Sequence, residues 1–325
     1  MTNRQSRHKP RHGDGKAAGP LPCPCWGRLR PSRSCGLDGR RMRIGIVGLG
    51  NMGLGMAGWL AGTGAAVTGF DLHGPSVAAA LDKGVTIAGA VAGVAAPVVI
   101  LSLPQERAVE AVLAALLPAM EKGAVVVDTS TLDPLAARRF HALAATMGVD
   151  YLDAPVSGGP AGAAAGTLAM MLGGEAAAIE RARPVLERMA AKIIPVGGPG
   201  AGQVAKLVNN LLVATHLAVA AEALRMGQAA GVEVAALLPV VNAASGRSAA
   251  TEVNFPRWIA SGAFDSGFSA GLMRKDVRLA LGLAKAVGAK LEACGAAAAL
   301  WEEADIADAA DFNRVPAAIL AGEAA

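Results

Sequence analysis

The segment Gly48-Leu49-Gly50-Asn51-Met52-Gly53 constrains the fold of this 325-residue chain more than any other feature. It follows a short apolar run, Arg43–Val47, and precedes a stretch in which Met52, Met56 and Leu60 recur at helical spacing. In a strand–turn–helix unit of this kind the first glycine permits a tight turn. The second lets another molecule reach the backbone, and the third lets helix and strand pack closely. The start of the helix then offers unpaired N–H groups to a pyrophosphate. Asp71 ends the next apolar run, Val67–Phe70, and lies 21 residues after Gly50. At that interval a carboxylate accepts from the hydroxyls of an adenosine ribose and repels a 2′-phosphate. Leu72 follows, so the immediate neighbour brings no arginine for such a phosphate. The cofactor expected is NAD, with NADP the poorer fit, held by Gly48, Leu49, Gly50, Asn51, Met52 and Asp71.

Further along, Val98–Leu103 and Ala124–Val127 are continuous apolar runs, the pattern of strands covered on both faces. Helical stretches around Ala108–Leu117 and Leu135–Met147 separate them, and Tyr151–Val156, Thr167–Leu172 and Ile193–Val196 read as later strands. This alternation specifies an α/β fold, a doubly wound (Rossmann) parallel sheet, over residues 42–202. Residues 203–325 read as an all-α domain, with helical stretches over Gln203–Ala230, Ala235–Ala244, Leu272–Val287 and Leu291–Ala307. Val85–Gln105 is free of charge but too rich in Gly, Ala and Pro for a membrane span.

Charge divides the chain differently. Residues 1–41 carry ten Lys/Arg against two acids, a net of +8, whereas the remainder nets −4. This Pro/Gly-rich leader has no hydrophobic period and is expected to be unstructured, either upstream sequence ahead of Met42 or a targeting arm. Its cysteines and histidines lack the spacing of a zinc site, and no metal is expected elsewhere. Only Trp26 could stack on a base, so no nucleic-acid partner is expected either.

Three later segments carry chemistry. Asp128-Thr129-Ser130-Thr131 lies at the end of a strand, where ligands of open sheets bind; its hydroxyls suit cofactor or substrate, or equally a helix cap near Pro134. Asp153-Ala154-Pro155-Val156-Ser157-Gly158-Gly159 places glycine N–H groups beside a hydroxyl, which fits a carboxylate or a tight loop. The third opens at Gly200-Ala201-Gly202. Its helix has Val204, Leu207, Val208, Leu211 and Leu212 as an apolar stripe and Lys206 as the one charge from Gln203 through Ala221. Lysine is disfavoured in a first turn by the helix dipole, and that potential, with burial, lowers its pKa toward neutrality. Asn209 and Asn210 lie one turn on. Arg247 could read a second anionic group or be a surface residue. Lys275-Asp276, after Phe264 and Phe268, could set another cation near the cofactor.

Together these residues resemble the β-hydroxyacid dehydrogenases. The likeness rests on Gly48–Gly53 with Met56-Ala57, Ser130-Thr131, the Asp153–Gly159 run with Gly166-Thr167-Leu168, Gly200–Asn210, and Lys275-Asp276, in order, over about 42–320. The resemblance implies an active site in the cleft between a Rossmann and an all-α domain. It implies Lys206 as catalytic acid/base and Asn210, with Asn209, as orienting substrate. Ser157, Gly158 and Gly159 would hold the substrate carboxylate with Ser130 nearby, and Leu103, Pro104, Thr131 and Lys275 would touch the cofactor. A short 3-hydroxy acid such as 3-hydroxyisobutyrate is the expected substrate, in a cytoplasmic homodimer or homotetramer with no membrane partner. Reduction of tartronate or succinic semialdehyde is the enzymatic alternative. The non-enzymatic one is a cofactor-binding scaffold whose basic arm takes nucleic acid.

Overall fold

The computed structural model describes residues 41–323; the leader reading falls outside them. The chain begins with β1 (Arg43–Val47), the glycine turn and α1 (Asn51–Gly62), then β2 (Ala66–Phe70), α2 (Gly74–Leu81) and β3 (Thr86–Ile87). β4 (Val98–Leu101), α3 (Glu106–Leu116), β5 (Val125–Asp128), α4 (Pro134–Thr146) and β6 (Asp150–Asp153) continue the alternation. β7 (Val156–Ser157), α5 (Gly159–Ala165), β8 (Leu168–Gly173), α6 (Ala176–Met189) and β9 (Ala190–Gly197) complete the sheet. Its order is β3-β2-β1-β4-β5-β6-β8-β7, with β9 on β8. The first six strands are parallel, whereas β8 runs antiparallel to β6 and β7. The reversal follows from the short Gly158–Thr167 connection, which has room for one small helix.

The central strands β1, β4, β5 and β6 are buried on both faces, as the unbroken apolar runs of the first three require. Ile44, Ile46, Ile100 and Val127 face a core built with α1 and α6, and Val99, Leu101 and Val126 face one built with α3 and α4. The switch between β1 and β4, where successive strands go to opposite sides, places the cofactor crevice beyond their C-terminal ends.

After β9 the chain is helical. α7 (Ala201–Ala229) runs for 29 residues, followed by α8 (Val234–Ala243), a π-helix (Ala250–Ile259), α9 (Ala270–Ala286), α10 (Glu292–Glu303) and α11 (Arg314–Ala321). The π-helix and α11 have no counterpart in the periodicity reading. Leu207, Leu211, Ala214, Leu217 and Ala221 of α7 form one core with Phe255, Met273, Val277, Trp301 and Val315. By length and composition α7 would also pass for a membrane span. It is instead the central helix of this cluster, and its buried Gln203, Lys206 and Asn210 make polar contacts to the surrounding chain.

Candidate active site

The glycine turn shows why three glycines are needed. Gly48 has φ +91°, and a Cβ there would sit 2.2 Å from the Ser102 carbonyl oxygen; one on Gly53 would sit 1.8 Å from the Gly48 carbonyl. At Gly50, by contrast, a Cβ would meet nothing within 4 Å, so that backbone is open to an incoming group. Gly50 is also the N-cap of α1 and supplies no capping side chain, which leaves the first N–H groups for a ligand. Asp71 accepts from Leu49 N at 2.6 Å and from His73 N at 2.8 Å, one bond on each oxygen. A carboxylate has lone pairs left for two hydroxyls after that. Glycine turn, open helix start and fixed acid together fit a dinucleotide without a 2′-phosphate.

The loop after β5 is the next wall. Ser130 Oγ accepts from Leu103 N at 2.9 Å, which ties half-buried Leu103 and exposed Pro104 to it. Asp128, fully buried, accepts from Ser130 N at 2.9 Å and from the Tyr151 hydroxyl at 2.6 Å. Burial pushes its pKa up to about 6, partly opposed by those bonds. The cap of α4 is Asp133, which accepts from Leu135 N, so the hydroxyls of 129–131 are not the cap.

Helix α7 carries the central lysine. Its N-cap, Gly200, has φ +85° and no side chain to offer. The missing cap comes from β6, where Asp153 accepts from Gly200 N at 2.8 Å and from Gln203 N at 2.9 Å. Lys206 is the sixth helical residue, in the second turn and not the first, so the dipole has little hold on it. Burial is what keeps its ammonium below the ordinary lysine value; Asp276 opposes the shift and Lys275 assists it. Lys206 Nζ donates to the Val156 carbonyl at 2.8 Å, one residue before Ser157.

Asn210 Nδ2 donates to Asp276 Oδ2 at 2.6 Å, and Asn209 Nδ2 donates to Asn210 Oδ1 at 3.0 Å. Lys275 Nζ donates to the Thr131 carbonyl at 2.8 Å and lies 3.1 Å from Asp276 Oδ1. That ion pair lies off the hydrogen-bonding direction, and Asp276 Oδ1 is buried without a donor among the described residues. In the glycine loop, Gly158 (φ +126°) and Gly159 (φ +63°) need their freedom, and Ser266 O lies 3.9 Å from where a Gly159 Cβ would be. Arg247 stands apart: its side chain is 68% exposed and faces Glu252 at 3.9 Å. Among the described residues no cluster suits a metal ion.

The geometry thus joins a dinucleotide cradle to a buried lysine–asparagine–carboxylate set. Two family descriptions match the chain, the NAD binding domain of 6-phosphogluconate dehydrogenase over residues 43–198 and the NAD-binding region of NADP-dependent 3-hydroxyisobutyrate dehydrogenase over 200–317. A probable 3-hydroxyisobutyrate dehydrogenase of Mycobacterium tuberculosis is 40% identical over 84% of this chain and 96% of its own. The chain belongs to the β-hydroxyacid dehydrogenase family. An NAD-dependent L-serine dehydrogenase of Pseudomonas aeruginosa is 42% identical over 75% of this chain and 86% of its own. A solved Mycobacterium tuberculosis 3-hydroxyisobutyrate dehydrogenase, described with L-serine, superposes with a TM-score of 0.80. It shares 39% identity over 85% of this chain and 98% of its own. This β-hydroxyacid dehydrogenase is therefore an oxidoreductase with a Rossmann-type sheet followed by a helical region.

Within the enzyme, Asn209, Asn210, Asp276, Lys275 and Thr131 form one polar network, while Lys206 feels the charges of Asp276 and Lys275 and donates to Val156, the residue before Ser157. Gly48–Met52 and Asp71 form the separate cradle. The roles of three buried residues of the site, Asp153, Gln203 and Asp276, escape a sequence reading, although Asp153 and Asp276 fall inside the motifs named. Each acts across 47 or more positions of chain.

Proposed function

We propose that the enzyme moves a hydride between NAD and the β-carbon of a short 3-hydroxy acid, 3-hydroxyisobutyrate or a close analogue, with Lys206 as the general acid/base. The supporting observation is the Lys206 ammonium, buried beside the Ser157–Gly159 loop and one helical turn from Asn210. The nicotinamide, when bound, takes or gives the hydride. Lys206 accepts the hydroxyl proton in oxidation and returns one to the carbonyl oxygen in reduction, and burial, which lowers its pKa below the ordinary lysine value, favours its neutral, proton-accepting form. Asn210, held by Asp276, orients the reacting oxygen with Asn209 behind it. Ser157, Gly158 and Gly159, with Ser130 as a further contact, hold the carboxylate, so the reacting carbon is presented in one orientation. Arg247 would read a second anionic group only in diacids.

The 3-hydroxy acid class is supported by the names of the relatives; L-serine is itself a 3-hydroxy acid. Asp71 supports NAD over NADP. Exposed apolar Val208, Leu212, Val219 and Met226 along α7 support a homo-oligomer, which we place in the cytoplasm with the helical half, 203–325, as its contact. Initial rates with 3-hydroxyisobutyrate, L-serine and 2-hydroxy acids, each with NAD and NADP, test the reading. The highest kcat/KM is expected for a 3-hydroxy acid with NAD. A clear preference for a 2-hydroxy acid, or for NADP, would sink it.

A further inference from the structure

Gln203 has no side-chain surface exposed and lies one turn before Lys206 on α7. Its amide makes two bonds, both to main chain: Nε2 donates to the Ser130 carbonyl at 2.8 Å and Oε1 accepts from Leu132 N at 3.0 Å. Those groups belong to the two peptide units flanking Thr131, so one side chain grips the loop on either side of that residue. Lys275 holds the Thr131 carbonyl between them. The Thr131 N–H and hydroxyl have no protein partner among the described residues and are left for a ligand. Gly202, just before Gln203, seats the start of α7 against β6 and β8: a Cβ there would lie 2.4 Å from the Met171 carbonyl and 2.6 Å from the Asp153 carbonyl.

From this arrangement we infer that Gln203 is a positioning residue, which locks the Ser130–Leu132 loop and Lys206 into one unit so that cofactor-side and proton-transfer groups keep a fixed separation. The inference rests on the reading of Lys206 as acid/base. An amide is the side chain that can donate to a carbonyl and accept from an N–H two residues further along. Methionine has similar length and neither bond. Glutamate accepts from Leu132 N but, ionised, turns an oxygen toward the Ser130 carbonyl; protonated, it donates there and restores the grip. A displacement of about 1 Å between reacting groups costs about 100-fold in rate. A loosened joint also admits water to Lys206, whose charged neighbours are Asp276 and Lys275 of α9.

The test compares wild type, Gln203→Met, Gln203→Glu and Lys206→Ala, each shown to be folded by thermal melting. For Gln203→Met, kcat is expected to fall about 30- to 100-fold while the NADH Kd moves less than about threefold. The kinetic pKa in the oxidation direction should move upward as Lys206 becomes better solvated. For Gln203→Glu, activity relative to wild type should rise as pH falls, while that of Gln203→Met should not. A folded Gln203→Met with kcat within twofold or threefold of wild type, or a pH-independent ratio for Gln203→Glu, overturns the assignment. If Gln203→Met does not fold, the pH series of Gln203→Glu decides alone. Near-normal turnover of Lys206→Ala would instead overturn the acid/base reading beneath it, and the inference with it.

Discussion

Replacing Lys206 with methionine separates chemistry from folding more cleanly than any other change. General acid–base transfer is worth about 100- to 10,000-fold in rate, or about 2.7 to 5.4 kcal/mol of barrier. The upper part of that range applies here, because the other polar groups around Nζ are poor substitutes. Val156 presents a carbonyl, Asn210 an amide, and the Asp276 carboxylate has Oδ2 held by Asn210 and Oδ1 beside the Lys275 ammonium, which disfavours its protonation. Stability should change little. Methionine leaves the Val156 carbonyl unpaired, at a cost of about 1–3 kcal/mol, but it removes an ammonium whose charged form is disfavoured by burial. These effects oppose one another, so Tm should stay within about 3 °C of wild type. NADH binding, assigned to the cradle around Gly48–Gly53, should be unchanged. Single-turnover kinetics, a melting curve and a fluorescence titration with NADH give the three numbers. A kcat within about tenfold of wild type, or a Tm drop of more than about 10 °C with lost NADH binding, would refute the reasoning.

Three other outcomes follow from the same contacts. Asp71→Asn removes the charge that repels a 2′-phosphate, and the NAD-to-NADP ratio of kcat/KM should fall at least about tenfold, or 1.4 kcal/mol, in steady-state assays. Gly53→Ala drives a Cβ to 1.8 Å from the Gly48 carbonyl; urea unfolding should show a loss of about 1–3 kcal/mol. Asp128 binds its proton more tightly folded than unfolded, so its favourable contribution is complete below about pH 4 and is lost as pH rises through about 6. Asp128→Asn should therefore gain on wild type between pH 5 and pH 7.5 by about 1.4 kcal/mol, measured by urea unfolding at both pH values.

Much of the fold could be read because its signals are local. The run Arg43–Val47 is β1 to the residue, and the glycine turn, Asp71 and the helical second half lie where pattern and spacing put them. Local signals also mark Lys206, since a single charge on an apolar helix stands out. The direction of β8 was not legible, because side-chain alternation is the same for parallel and antiparallel pairing. Nor was the π-helix at Ala250–Ile259, whose extra residue per turn breaks the period that would announce it. From sequence, the Lys206 shift falls to the helix dipole and burial together, whereas the second-turn position leaves burial as the main cause. The roles of Asp153, Gln203 and Asp276 share one reason for being missed. Their partners are brought to them by the fold, and no spacing along the chain encodes a remote helix cap or a grip on another loop's backbone.

The most direct measurement follows a single hydrogen. 3-Hydroxyisobutyrate carrying deuterium on its hydroxyl-bearing carbon would be incubated with NAD and the enzyme, and the reduced cofactor examined by mass spectrometry. Hydride transfer from the β-carbon to the nicotinamide predicts reduced cofactor carrying one deuterium, with formation abolished in Lys206→Met. Reduced cofactor without the label, or no reduction with any 3-hydroxy acid tried, would contradict the account.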